Sequence, residues 1–201
     1  MASALAMPRR RAALETTWLL VGLATVALAR AAVNGNTSLT AFASGTGFAA
    51  VLVALALAAG WRPSMPRIRA LVLGVAAGGV LVVLPRVVHP LLPSVIGMRP
   101  EPLVAWSLVT AAVAVGEEVL LRGALFDALG RAGGVGAGGV GAAVIVTSLA
   151  FALMHVPLYG WQVVPLDLGV GIFFAGLRLA SGGVAAPAVA HFLADLSTWW
   201  L

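Results

Sequence analysis

The sequence predicts an all-α fold, a polytopic bundle of about seven transmembrane helices, and three observations predict it. Of 201 residues, 61% are hydrophobic and only 9% are charged, where a typical soluble domain has about 25% charged residues. The mean hydropathy is +1.06. The apolar residues also gather into runs of roughly 20, the length an α-helix needs to cross the hydrocarbon core of a bilayer. In that core every backbone polar group must be satisfied internally, which leaves helices as the spanning element.

The first run, 16–33, follows Arg9-Arg10-Arg11 and contains Ala27-Leu28-Ala29. Such features also occur in a secretory signal with its cleavage site. The length of the run and the insertion of the rest of the chain favour an uncleaved anchor. Asn34-Gly35-Asn36-Thr37-Ser38 separates it from the second run, 41–60, and Trp61 to Arg67 leads to the third, 69–88. Gly74 and Gly78 in the third run form G-x-x-x-G, a pattern of close helix packing. His89 to Pro102 precedes the fourth run, 103–127, and Arg131 to Gly139 leads to the fifth, 140–158. The sixth and seventh are 162–180 and 183–200. Gly134, Gly136 and Gly139 satisfy G-x-G-x-x-G, but no strand precedes them and no acidic residue follows at the required distance. The dinucleotide fingerprint needs both, so these glycines belong to a connector.

The runs divide into an N-terminal set, residues 1–102, and a core, residues 103–201, that carries the chemistry. The net charge of +5 comes entirely from arginine. Arg9, Arg10, Arg11, Arg62, Arg67, Arg69, Arg131 and Arg178 fall on one side of the bundle. Arg30, Arg86 and Arg99 fall on the other, and Arg122 lies within the membrane. This bias places the N-terminus in the cytoplasm. The Ala, Gly, Val and Arg composition points to a bacterial plasma membrane. The arginines form no extended patch interleaved with aromatics, which speaks against nucleic acid. The absence of cysteine excludes disulfides, thiolate nucleophiles and sulfur ligands. Trp199-Trp200-Leu201 fits an interfacial anchor, since aromatic residues favour that depth.

The fourth run contains Glu117, Glu118 and Arg122 at bilayer depth, where a charged residue costs on the order of 3 kcal/mol even on lenient insertion scales. Glu118 and Arg122 share a helix face and can pair. Glu117 points about 100° away, toward any cavity on that side. Phe151 and His155 in the fifth run, and His191 and Asp195 in the last, are also four residues apart. Asp167 in the sixth run is a further, less specific element. Taken singly, a Glu–Arg pair is often structural and a lone histidine on an apolar helix usually packs. His191 and Asp195 can equally make a plain interhelical hydrogen bond. Glu101, Asp127 and Arg131 sit near run ends and suit solvation. The concurrence of three four-residue spacings in one half of the chain is what points to a site, since the first three runs hold little comparable.

A carboxylate with two imidazoles can activate a water, and the same set is a known zinc donor combination. His191 and Asp195 can add hydrogen bonds to a forming oxyanion. Serine chemistry is not favoured, because Ser107, Ser148 and Ser197 sit in no nucleophile elbow.

Glu117-Glu118-x-x-x-Arg122, Phe151-x-x-x-His155 and His191-x-x-x-Asp195, in that order, resemble the CPBP family of intramembrane proteases. That family includes CAAX prenyl endopeptidases and bacteriocin-processing and immunity (Abi) proteins. The resemblance covers about Leu103 to Leu201, with Asp195 where the family often has asparagine and also commonly aspartate. It implies an integral membrane endopeptidase that acts on a peptide or membrane-protein substrate in the lipid bilayer. Glu117 would activate water with His155 as its partner, and Glu118, Arg122 and Phe151 would shape the site. His191 and Asp195 would bind the oxyanion or orient the carbonyl. The family is commonly labelled metalloprotease, and Glu117, His155 and His191 would then hold Zn²⁺. A metal-free glutamate mechanism fits equally well. A proton- or cation-coupled transporter and a non-catalytic scaffold are the competing classes, although no inverted repeat supports transport. One geometric condition must be met. His155 lies about five residues past the middle of its run, roughly 7 Å, so tilt or a helix shortened near Pro157 has to bring it level with Glu117.

Overall fold

The computed structural model describes residues 2–33, 38–88, 102–134 and 136–200. The connections at 34–37 and 89–101, with Arg99 and Glu101, lie outside the described residues, as do the side chains of Arg86 and Trp200 and all of Leu201. Among the described residues there is no strand, and the chain forms seven helical rods.

The rods are α1 (Ala2–Val33), α2 (Ser38–Ala58), α3 (Ile68–Val88), a composite of α4 (Leu103–Glu118) and α5 (Phe126–Gly133), α6 (Ala137–Tyr159), α7 (Val164–Ser181) and α8 (Ala185–Ser197). Five of them are long and apolar enough to cross a membrane, so the chain is a multi-pass membrane protein. α1 begins well before the apolar run, and Arg9 to Arg11 are helical. Alanine and arginine are both strong helix formers, so the helix need not stop where hydrophobicity does.

α8 is shorter than the expected 183–200. Gly182, at φ +74°, ends α7 in the left-handed conformation, which glycine adopts without a Cβ clash. The 13 residues of α8 span about 20 Å, less than the roughly 30 Å of a hydrocarbon core. α8 instead packs among α3, α4 and α7. The G-x-x-x-G pattern sets its seat on α3. A Cβ on Gly74 would stand 2.8 Å from the Ala186 carbonyl oxygen, and one on Gly78 would stand 2.9 Å from the Leu193 Cβ. Gly74→Ala should therefore lower stability by about 1–3 kcal/mol through overpacking, measured as a lower thermal midpoint in detergent. An unchanged midpoint would mean that α8 is not held at this distance.

The fourth rod is not regular. Between α4 and α5 the chain makes a π-helix, Val119–Leu125, and all seven of its residues are buried. Single-turn π segments of this kind often mark functional sites. Here it lies immediately after the two glutamates and contains Arg122. α6 runs through Pro157 to Tyr159, so the helix is not shortened at the proline. Gly134 and Gly136 have φ of +81° and +129°, and Gly133 and Gly139 face each other with no room for a Cβ on either. The glycine motif is thus a tight helical connector.

At this same end Arg131 pairs with Glu15 at 2.6 Å and Arg178 pairs with Asp127 at 3.0 Å. Arg131 and Asp127, expected to be simply solvated, are half-exposed but tie the rod α4–α5 to α1 and α7.

Candidate active site

Glu117 and Glu118 close α4 and are almost fully buried, at 1% and 0% exposure. They face different neighbours, as the helical repeat requires. The Glu118 Oε1 accepts from Arg122 Nη1 at 3.0 Å and from His191 Nδ1 at 3.0 Å. Arg122, fully buried, also donates from Nη2 to the Gly171 carbonyl of α7 at 2.9 Å. Its guanidinium lies 4.8 Å from the Phe151 ring centre and 5.4 Å from that of Phe174. A desolvated cation over aromatic faces gains about 2 kcal/mol or more. Gly171 also permits the close approach of α7 to α6. A Cβ there would come within 3.0–3.2 Å of Ser148 on α6.

Glu117 is held differently. Neither of its carboxylate oxygens accepts a hydrogen bond among the described residues. Three cationic or ionisable groups surround it from three helices. His155 Nε2 lies 3.9 Å from Oε2, His191 Nε2 lies 3.8 Å from the same oxygen, and Arg30 Nη1 lies 3.9 Å from Oε1. These separations exceed direct hydrogen bonding. They are the kind of gap that a shared water can bridge.

The histidines are pinned from behind. His155 Nδ1 is 2.9 Å from the Phe151 carbonyl and 3.3 Å from Asp167 Oδ2. A carbonyl only accepts, so Nδ1 carries the hydrogen, and in the neutral ring Nε2 presents its lone pair toward Glu117. The condition on depth is met, with His155 level with Glu117 in a helix that ends one turn later. His191 stacks on Phe174, ring centres 4.9 Å apart, and meets Phe151 edge-on at 5.4 Å. Its Nδ1 faces Glu118 and its Nε2 faces Asp195 Oδ2 at 3.2 Å. Carboxylates on both nitrogens suit a ring that donates from both.

All seven residues expected at the site, Glu117, Glu118, Arg122, Phe151, His155, His191 and Asp195, therefore converge, and Asp167 joins them through His155. Two further residues belong to the site without having been expected there. Phe174 supplies the face against which both Arg122 and His191 pack. Arg30 ranked as a rim charge of the first run, yet it turns inward with its guanidinium 4.6 Å from the Phe48 ring and its buried Nε without a hydrogen-bond partner among the described residues. The signal available in the sequence was its position one turn before the end of an apolar run, which does not distinguish an inward arginine from an interfacial one. The serines stay outside the chemistry. Ser107 and Ser197 donate to carbonyls of their own helices, and Ser148 lies in the α6–α7 seam.

The zinc donor set fits less well than the water site. Among the described residues no three His, Asp or Glu side chains form a group able to hold a metal ion. The two imidazole Nε2 atoms stand off a single Glu117 oxygen, and both nitrogens of His191 are already engaged by carboxylates.

No curated protein and no solved structure matched the chain. A family model described as type II CAAX prenyl endopeptidase, Rce1-like, matched residues 99–197. The match takes in the composite rod, α6, α7 and α8, hence every site residue except Arg30. A buried glutamate facing two histidines is carried by that matched stretch, and the similarity of residues 99–197 to the Rce1-like endopeptidases supports the CPBP/CAAX protease family for this part of the chain.

Proposed function

We propose that the protein is an intramembrane endopeptidase in which Glu117 is the general base toward an attacking water and His155 is its partner. One observation carries this reading. A buried carboxylate with both oxygens free of hydrogen bonds faces an imidazole nitrogen whose opposite nitrogen is fixed as a donor. That is the disposition a water needs if it is to donate to Glu117 and His155 while its oxygen attacks a carbonyl.

In the reaction Glu117 takes a proton from the water as its oxygen bonds to the scissile carbonyl carbon. The carbonyl oxygen becomes an anion, stabilised by the positive field of Arg30 and of His191 between its two carboxylates. Glu117 then returns the proton to the departing nitrogen, the C–N bond breaks, and the new carboxyl and amine leave with water's atoms divided between them. Glu118, Arg122, Phe151 and Phe174 hold the histidine frame, and Asp195 and Asp167 orient His191 and His155.

The substrate class is a peptide segment presented at or within the bilayer, and prenylated C-termini are the first to try given the family. The basic end formed by Arg9, Arg62, Arg131 and Arg178 favours a cytoplasmic N-terminus in a bacterial plasma membrane. Release of peptide fragments by the purified protein in liposomes tests the function, and a folded wild type that releases none from prenylated and unmodified peptides would refute it. Arg30 provides a separate check. Arg30→Gln should lower kcat/KM on the order of 10²-fold with little change in thermal midpoint. An unchanged kcat/KM would remove its charge from the mechanism.

A further inference from the structure

Away from the catalytic centre, at the arginine-bearing end of the bundle, lies a cavity of about 340 Å³. Arg62, Arg131 and Arg178 line it together with Glu15, Asp127 and Trp61. Asp127 and Arg131 follow Glu117 by ten and fourteen residues along one rod, roughly 15–20 Å, so this is not the catalytic pocket. A second hollow of about 310 Å³ shares Glu15 and Ala59 with the first and is lined by Arg11, Leu14, Trp18 and Ala58 of α1 and α2.

The charges around the two hollows do not balance. Arg11, Arg62, Arg131 and Arg178 face only Glu15 and Asp127, which leaves a surplus of two positive charges, one from Arg62 at the first hollow and one from Arg11 at the second. The carboxylates are already taken up by Arg131 and Arg178. Arg62 is fixed at the rim, its Nη1 donating to the Leu57 and Trp61 carbonyls at 3.2 and 2.9 Å, and among the described residues its other guanidinium nitrogens make no hydrogen bond. The second hollow has a different character. Leu14 and Trp18 are exposed on α1, about one and two turns past Arg11 in its apolar span. Trp18 and Trp61 belong to the aromatic residues that favour the headgroup level.

We propose that the joined hollows bind one anionic phospholipid. The phosphate of its headgroup sits in the cavity among Arg62, Arg131 and Arg178, and one acyl chain lies along Leu14, Trp18 and Ala58. Basic pockets between transmembrane helices recognise anionic headgroups in this way. A free phosphate would fill only the first hollow and gain nothing from the second, and a zwitterionic lipid would fill both but gain little from the surplus charge.

The test uses the full-length protein in mild detergent, with lipid retention read by native mass spectrometry and the thermal midpoint as a second readout. Phosphatidylglycerol should be retained about tenfold more than phosphatidylcholine and should raise the midpoint. Arg62→Gln combined with Arg131→Gln should abolish that preference while the midpoint in phosphatidylcholine shows that the variant is folded. Ala58→Trp, which fills the second hollow and replaces none of the arginines, should weaken phosphatidylglycerol retention, and it decides the matter should the double variant not fold. Equal retention of the two lipids by wild type would overturn the proposal, as would an undiminished preference in either folded variant. Inorganic phosphate reproducing the whole stabilisation would reduce the feature to a soluble-anion site and overturn the lipid assignment.

Discussion

Glu117→Gln should lower peptide hydrolysis by roughly 10²–10⁴-fold, the range that a positioned general base contributes, while leaving insertion and folding intact. The amide has nearly the shape of the carboxylate, and neither Glu117 oxygen holds a hydrogen bond that the variant would lose. What disappears is the negative charge that faces Arg30, His155 and His191 and the capacity to take a proton from water. Glu118→Gln makes an informative contrast. That side chain accepts from Arg122 and His191, so its amide should disturb the frame and lower the thermal midpoint as well as the rate. A Glu117→Gln protein that hydrolyses peptide at the wild-type rate would remove the assigned base.

Arg122→Ala should destabilise the protein by about 3–5 kcal/mol, the cost of leaving one partner of a buried ion pair behind. Glu118 would keep only His191 as a donor, the Gly171 carbonyl would lose its side-chain donor, and Phe151 and Phe174 would lose the cation that packs over both rings. Arg122→Lys would restore a charge. It would not restore the planar fork that reaches Glu118 and Gly171 together, so partial recovery is expected. The measure is the folded fraction that accumulates in the membrane and its thermal midpoint in detergent. Normal accumulation and midpoint for Arg122→Ala would mean that this pair is not structural.

The spans were legible in the sequence because lipid imposes one rule on every segment: about 20 apolar residues, with backbone bonds closed inside the helix. The three four-residue spacings were legible for a related reason, since i and i+4 share a helix face whatever the tertiary fold. Glu118–Arg122 and His191–Asp195 are therefore paired as their spacing implies. Local spacing carries no information about what comes from another helix. Arg30 reaches Glu117 from α1, and Asp167 reaches His155 from α7. Neither pair has a sequence signature, because each depends on the tilt and rotation of two rods. The π-helix was hidden too. Val119 to Leu125 reads as ordinary helix, and the wider turn is set by packing that buries all seven residues and by the Arg122 carbonyl accepting from Arg178 Nε at 2.8 Å. α8 read as a full span because 183–200 is apolar almost throughout, whereas the α-helix holds only Ala185–Ser197 and Thr198–Trp200 form a 3₁₀ turn, a difference that hydropathy does not register.

Arg30 also alters how the two halves of the chain relate. The matched family stretch begins at residue 99, and the N-terminal helices would otherwise serve only as packing. One of them supplies a cation within 4 Å of the carboxylate that the chemistry turns on. A catalytic unit restricted to residues 103–201 would lack it, and it would lack the α3 surface on which α8 sits.

Whether water activated at Glu117 cuts a peptide bond is read most plainly from a cleavage profile. Wild type and Glu117→Gln, each reconstituted in liposomes, are incubated with a mixed library of prenylated and unmodified peptides, and newly formed termini are identified by mass spectrometry. A defined set of new termini is expected with wild type and none above background with the folded variant. The same termini from both proteins, or none from folded wild type, would contradict it.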